Sequence, residues 1–356
     1  MCIICSSNNS SQSEENVTPV SYQPKQLEAG EAFLAKYPTI DIHAHPGRFF
    51  MNNAPETPFT SRYAKLDITE TMAEIRASSI SAVFFSTVAD LPVLGFIEGG
   101  IGPTRELTDA EAKWEHNRQV DYFENIGADS GLEIGRSADD VDAAHEHKSI
   151  AGFLSIEGGD FIGCDIEKIS EAAKRSVQSI TIVHYRNNHI GDTQTQPPSH
   201  DGLSKFGQTA IKAMEDANIL VDLSHASYDT VRGAARIASR PMMLSHSNID
   251  FGDDKHNRLI SAEHARLVTD GGGIVGAVPA GFGQQNFDEY IETILRMVDI
   301  LGVDHIAIGT DMDFTYRSVM PNYSLWPVLA GSLLHRGVNE TELAKIMGGN
   351  MVRIMQ

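Results

Sequence analysis

Eight short apolar runs alternate with helix-like stretches along the chain, and no glycine-rich phosphate loop follows the first run. Together these observations predict an α/β fold of the (β/α)8 TIM-barrel class. Runs that are apolar almost throughout belong to a parallel sheet covered on both faces. Eight units in about 300 residues suit a closed barrel better than an open doubly wound sheet. The first run is TIDIHAH (39–45) and the second AVFFSTV (82–88), followed by the long amphipathic stretch ELTDAEAKWEHNRQVDYFENIG (106–127). The third and fourth, IAGFLSIE (150–157) and SITIVHY (179–185), precede the helical pattern SKFGQTAIKAMEDAN (204–218). The fifth and sixth are ILVDLSH (219–225) and PMMLSHS (241–247), with SAEHARLVTDG (261–271) after them. Both of these helical stretches open on a serine suited to N-capping. GGIVGAV (272–278), the helix pattern FDEYIETILRMVDILG (287–302) and HIAIGTD (305–311) complete the series, with Gly302 as a helix stop.

Composition narrows the function. The 356 residues carry 28 Lys+Arg against 48 Asp+Glu, a net charge of −20, which excludes a partner that needs a basic patch, nucleic acid above all. No apolar run is long enough to predict a transmembrane segment. Residues 1–25 are Ser/Asn/Gln-rich and read as a disordered polar tail, with residues 26–356 as one barrel domain. Cys2 and Cys5 form a lone C-x-x-C in that tail, better read as part of a polar leader than as a zinc or redox motif. With Cys164 they cannot make a disulfide framework. Cytoplasm is the default expectation, and the periplasm the alternative if a leader precedes this sequence.

The polar residues at the ends of the runs carry the chemistry. The first run ends in His43-Ala44-His45, the third in Glu157, the fourth in His184, the fifth in His225, the sixth in His246 and the eighth in Asp311. In a barrel those ends converge on the face that holds active sites. One histidine at a strand end is usually a packing residue. His43 and His45, two apart, leave the same side of a strand and can grip one cation. A carboxylate ending an apolar run is costly unless paired or bound to metal. Nitrogen and oxygen donors without thiolate suit Zn²⁺, with Mn²⁺, Co²⁺ or Fe²⁺ as alternatives. The donors exceed the need of one ion, so a carboxylate bridging two ions and metal-assisted hydrolysis are expected.

The order H-x-H, Ile-Glu-Gly-Gly, a strand ending in His, Val-Asp-Leu-Ser-His, Ser-His-Ser and Gly-Thr-Asp-x-Asp resembles the renal, or membrane, dipeptidase family of the amidohydrolase superfamily. The likeness runs from about Thr39 to the C-terminus and includes DGLSKFGQTAIKAMEDANILVDLSHAS (201–227) and GGNMVRIMQ (348–356). The resemblance implies a metal-dependent hydrolase barrel holding two divalent ions and cleaving small dipeptides by attack of a metal-bridging hydroxide. A D-residue at the C-terminal position is one substrate it allows. Carried over, His43 and His45 match the first pair of ligands, Glu157 the bridging carboxylate, and His225 and His246 the ligands of the second metal. Asp311 matches the acid/base, His184 the histidine that binds and polarises the scissile carbonyl, and Arg258 is the nearest match to the arginine that binds the substrate carboxylate. Two positions depart from the pattern. His45 stands where the family has Asp, which makes the first metal position less anionic, and Asp160 stands where the family has His after Ile-Glu-Gly-Gly.

Other candidates have blander readings. Asp90, His189 and Asp192 are read as loop polar residues rather than pocket lining, and His145 and His147 as a solvated helix end. Asp160 is read equally as a turn residue or a support to the ligands, and Met242 and Met243 as core filling. A dipeptidase is preferred over a deacylase of N-acyl amino acids, a lactonase, or a barrel that only binds a ligand. The last would have lost one of Glu157, His184, His225, His246 or Asp311, and a lactonase has no need of Arg258. The chain is free to act as a homodimer.

Overall fold

Each of the eight apolar runs supplies a strand of one parallel sheet in the computed structural model, which describes residues 2–3, 20–63, 65–130, 132–252 and 256–356. In chain order these are β1 (Ile40–Ala44), β2 (Ala82–Val88), β3 (Ala151–Glu157) and β4 (Val177–Thr181). They continue as β5 (Leu220–Asp222), β6 (Met243–Leu244), β7 (Ile274–Ala277) and β8 (Ile306–Ile308). Each pairs in parallel with the next. The ends of the sheet meet just beyond β8, where the Asp311 N–H donates to the His43 carbonyl at 2.8 Å and the His45 N–H donates to the Met312 carbonyl. The result is a nearly closed (β/α)8 barrel.

Helices cover the outside where the apolar periodicity places them. The 106–127 stretch forms Asp109–Ser130, and the 287–302 stretch forms Phe287–Leu301, ended by Gly302 at φ 87°. Ser204 and Ser261 cap their helices by accepting hydrogen bonds from the Gly207 and His264 N–H groups. The C-terminal helix Asn350–Met355 sends Met351 and Ile354 into the barrel interior, closing the end opposite the strand C-termini.

Along each strand the interior changes from apolar to polar. Ile40, Ile42, Phe84, Phe153, Leu220 and Met243 fill the lower barrel. Two residues further along come Ser86, Ser155, Asp222 and Ser245, all buried, with Glu157 beyond Ser155. Period-two alternation thus stacks an apolar layer, a hydroxyl and carboxyl layer, and a layer of potential ligands. Above β6 the packing is tight enough to demand glycine. A Cβ at Gly276 or Gly309 would stand 1.8 or 2.0 Å from the Ser245 carbonyl oxygen.

Of the expected tail, residues 1 and 4–19 lie outside the described residues. Val20 and Tyr22 are buried, Ser21–Tyr22 pairs antiparallel with Cys2–Ile3, and the first helix, Pro24–Leu34, begins inside the stretch read as tail. No helix among the described residues is long and apolar enough to cross a membrane.

Candidate metal centre

The structure brings the six strand-end positions onto one carboxylate. Glu157 ends β3 facing inward, with Oε1 3.0 Å from His225 Nε2, 3.3 Å from His246 Nε2 and 3.5 Å from His43 Nε2. Its Oε2 lies 3.4 Å from both His45 Nε2 and His184 Nε2. Asp311 Oδ1 approaches His45 Nε2 at 3.1 Å and His43 Nε2 at 3.9 Å. Apart from Asp311, which keeps a part-exposed side chain, all of these residues are buried.

Only Glu157 occupies the last position of its strand. His184 and His225 each lie three residues beyond β4 and β5, and His246 two beyond β6. In β1 the register slips by one residue between Asp41 and Ala44, so that Ile42 fills the interior while His43 also turns toward Glu157. A bulge, rather than simple alternation, therefore aims the H-x-H pair. His225 and Asp311 have left-handed backbones, with φ of 66° and 56°, a conformation uncommon outside glycine and found at strained functional positions.

The layer beneath decides which imidazole nitrogens face inward. His45 Nδ1 lies 2.7 Å from the Ser86 carbonyl, which only accepts, so Nδ1 carries a hydrogen and Nε2 is the nitrogen turned toward Glu157 and Asp311. Ser245 Oγ donates to Asp222 Oδ2 at 2.6 Å and is left as an acceptor for His246 Nδ1 at 2.9 Å. Thr181 Oγ1 also donates to Asp222 at 2.6 Å. Asp41 takes the equivalent place under β1, accepting from the Thr310 N–H and hydroxyl, the Tyr323 hydroxyl and the His43 N–H. Burial pushes the Asp41 carboxyl up to about 7 against these hydrogen bonds.

The donor set fits divalent cations. His43 Nε2 and His45 Nε2 are buried with no hydrogen-bond partner, a costly state that coordination would relieve. His225 Nε2 and His246 Nε2 face each other across 3.0 Å. Two groups of donors, His43–His45–Glu157 and Glu157–His225–His246, each hold their ligand atoms within 4.8 Å and share Glu157. Burial pushes the Glu157 carboxyl up, but the surrounding imidazoles of His184, His43, His225 and His246 outweigh it and hold it well below the usual range. Burial opposes a charge on His45, yet Asp311 and Glu157 lift it to about 10, marking the space between them as one that favours positive charge.

His184 belongs to the cluster but to neither donor group. Its Nδ1 lies 2.6 Å from Asp90 Oδ1, and the other Asp90 oxygen accepts the Tyr185 N–H at 3.2 Å. Asp90 is thus an orienting group, not the bland loop residue its sequence context suggests. Burial opposes charge on His184, but Asp90 and then Glu157 raise its pKa. Arg258 is buried beside the site, its Nη1 donating to Gln194 Oε1 at 2.8 Å and its Nη2 to the His246 carbonyl at 3.4 Å. After burial, its charge is the foremost influence holding the His225 imidazole well below its ordinary value.

The remaining candidates separate cleanly. Asp160 is buried and pairs with Arg186, a support behind the site. Asp192 accepts from the Ser199, His200 and Gly202 N–H groups and organises its own loop, while His189 is exposed. His145 and His147 end the helix Asp139–His147, and Met242 and Met243 are core. Asp41 and Asp222 went unrecognised in the sequence as supports, although both lie within three residues of a histidine in the recognisable D-x-H and D-x-x-H patterns.

Comparison with known proteins agrees with this architecture. The sequence profile of the family described as membrane dipeptidase, peptidase family M19, matches residues 27–356. Dipeptidase verJ of Clonostachys rogersoniana is 26% identical over 334 residues, covering 90% of this chain and 84% of that protein. The fold is similar to that of the probable dipeptidase PvdM from Pseudomonas aeruginosa, with TM-score 0.79 and 16% identity over 94% of this chain and 98% of that one. It is also similar to a metallo peptidase from Rhodobacter sphaeroides liganded with a phosphinate mimic of the dipeptide L-Ala-D-Ala, with TM-score 0.74 and 19% identity over 90% of this chain and 98% of that one.

Proposed function

The chain belongs to the membrane dipeptidase family, peptidase family M19, as a metallo-dipeptidase, and from that premise we propose that it holds two divalent ions, most simply Zn²⁺, and hydrolyses small dipeptides. The observation that carries this reading is the single buried carboxylate shared by two sets of imidazoles. His43, His45 and Glu157 would hold one ion, and Glu157, His225 and His246 the other. When bound, such ions supply Lewis acidity and a water acidified enough to attack an amide near neutral pH.

The chain's own residues supply the rest. Arg258 receives the substrate carboxylate through two parallel hydrogen bonds, giving orientation as well as charge. His184 Nε2, held by Asp90 on its other nitrogen, donates toward the scissile carbonyl oxygen and stabilises the charge that develops there. Asp311 Oδ1 takes the proton of the attacking water and returns it to the departing amine. Part exposure suits Asp311 to that traffic, since both substrate and water reach it. A buried guanidinium favours a peptide with a free carboxylate over a lactone, which brings no charge to pair. The test is a library of dipeptides with L or D C-terminal residues, offered to metal-reconstituted protein. Hydrolysis of dipeptides, D-residues included, supports the reading, and turnover confined to N-acyl amino acids or lactones overturns it.

A further inference from the structure

An aromatic wall runs outward from one side of the metal centre. The His45 ring packs edge-on against Phe50 at 5.1 Å and Phe314 at 6.0 Å. Phe314 in turn meets Phe50 at 5.2 Å, Tyr63 at 4.8 Å and Phe59 at 6.0 Å. The same apolar cluster includes Leu94 and reaches Tyr185 beside His184. Phe50 and Phe59 are fully covered, whereas Phe314 and Tyr63 keep open surface. Phe314 follows Asp311 by three residues, so its ring stands at the rim of the centre.

The other donor group has different chemistry beside it. Arg258, steadied by Gln194 and the His246 carbonyl, presents charge next to His246, whereas the wall packs on His45. A dipeptide whose carboxylate lies on Arg258 and whose scissile bond lies over Glu157 extends its amino-terminal residue toward His45 and the aromatic wall. We propose that this wall, with Phe314 at its centre, selects dipeptides whose N-terminal residue carries an aromatic or large aliphatic side chain. The proposal rests on the dipeptidase reading above. Aromatic rings give much apolar contact for few frozen torsions, and a pocket of this kind discriminates by the size of the apolar group it covers. Phe96 packs on Phe59 at 5.4 Å, and two cations touch the wall, Arg48 over Tyr63 and Arg62 over Phe96, so an acidic N-terminal residue is the informative competitor.

The experiment compares kcat/KM for Phe-Ala, Ala-Ala, Ala-Phe and Glu-Ala in the metal-loaded wild type, Phe314→Ala and Phe314→Leu. Wild type should favour Phe-Ala over Glu-Ala by about 10-fold or more. Phe314→Ala should lower the Phe-Ala to Ala-Ala ratio by about 10-fold, and Phe314→Leu, which keeps apolar volume, by about 3-fold. The Ala-Phe to Ala-Ala ratio should move far less in both. A preference for Glu-Ala, or equal losses for every dipeptide, overturns the proposal and leaves the dipeptidase reading standing. Failure of wild type to cleave any of the four overturns both.

Discussion

Asp90 Oδ1 and His184 Nδ1 stand 2.6 Å apart, and this contact decides which nitrogen of His184 faces the metal centre. Because a carboxylate only accepts, Nδ1 must carry a hydrogen, and Nε2 is directed at the Glu157 side. Asp90→Asn keeps the shape but removes the charge that holds the imidazole. The variant should retain its metals and lose about 10- to 100-fold in kcat, the usual cost of removing an outer partner. Activity and metal content measured on the same preparation check this, and unchanged kcat would make Asp90 a loop residue after all.

Two sets of donors sharing one carboxylate predict about two ions per chain after reconstitution. Elemental analysis against protein concentration decides it. A single ion with full activity would refute the binuclear proposal. If an ion binds the folded chain and not the unfolded one, a chelator should also lower Tm, by an amount equivalent to about 2.7 kcal/mol when free metal had stood at 100 times Kd.

Glu157→Gln should reduce metal affinity and rate together, because a neutral amide cannot bridge two cations. Its neighbours should then titrate differently, as five imidazoles lose the charge that faces them. Retention of the full metal complement and most of kcat would remove Glu157 from the bridging role.

Asp311→Asn separates proton transfer from binding. It should keep the metals and lower kcat by about 10²–10⁴, the range for a positioned acid/base. Loss of an ion instead would place Asp311 among the ligands.

Arg258→Met tests the substrate class. It should depress kcat/KM strongly for dipeptides and far less for C-terminally amidated analogues, which bring no carboxylate to pair. The double comparison cancels any general disturbance of the loop. Equal losses on both substrates would assign the carboxylate to another group.

The linear chain by itself determined the barrel and which polar residues end its strands. Apolar runs repeated eight times leave few ways to bury their surface, and strand C-termini in such a barrel must share one face. His43, His45, Glu157, His184, His225, His246 and Asp311 therefore gather on that face. The orienting layer was a different matter. Asp41 and Asp222 offer only a short spacing to a histidine as a signal and Asp90 offers none, and what fixes their part is burial against specific hydroxyls and ring nitrogens drawn from other strands. The same holds for the bulge that turns His43 inward and for the aromatic wall, whose members span residues 50 to 314. Periodicity reports which face of a strand is buried. Which hydrogen each imidazole keeps, and what flanks the substrate, depends on contacts between segments far apart in sequence, and only the tertiary structure decides those.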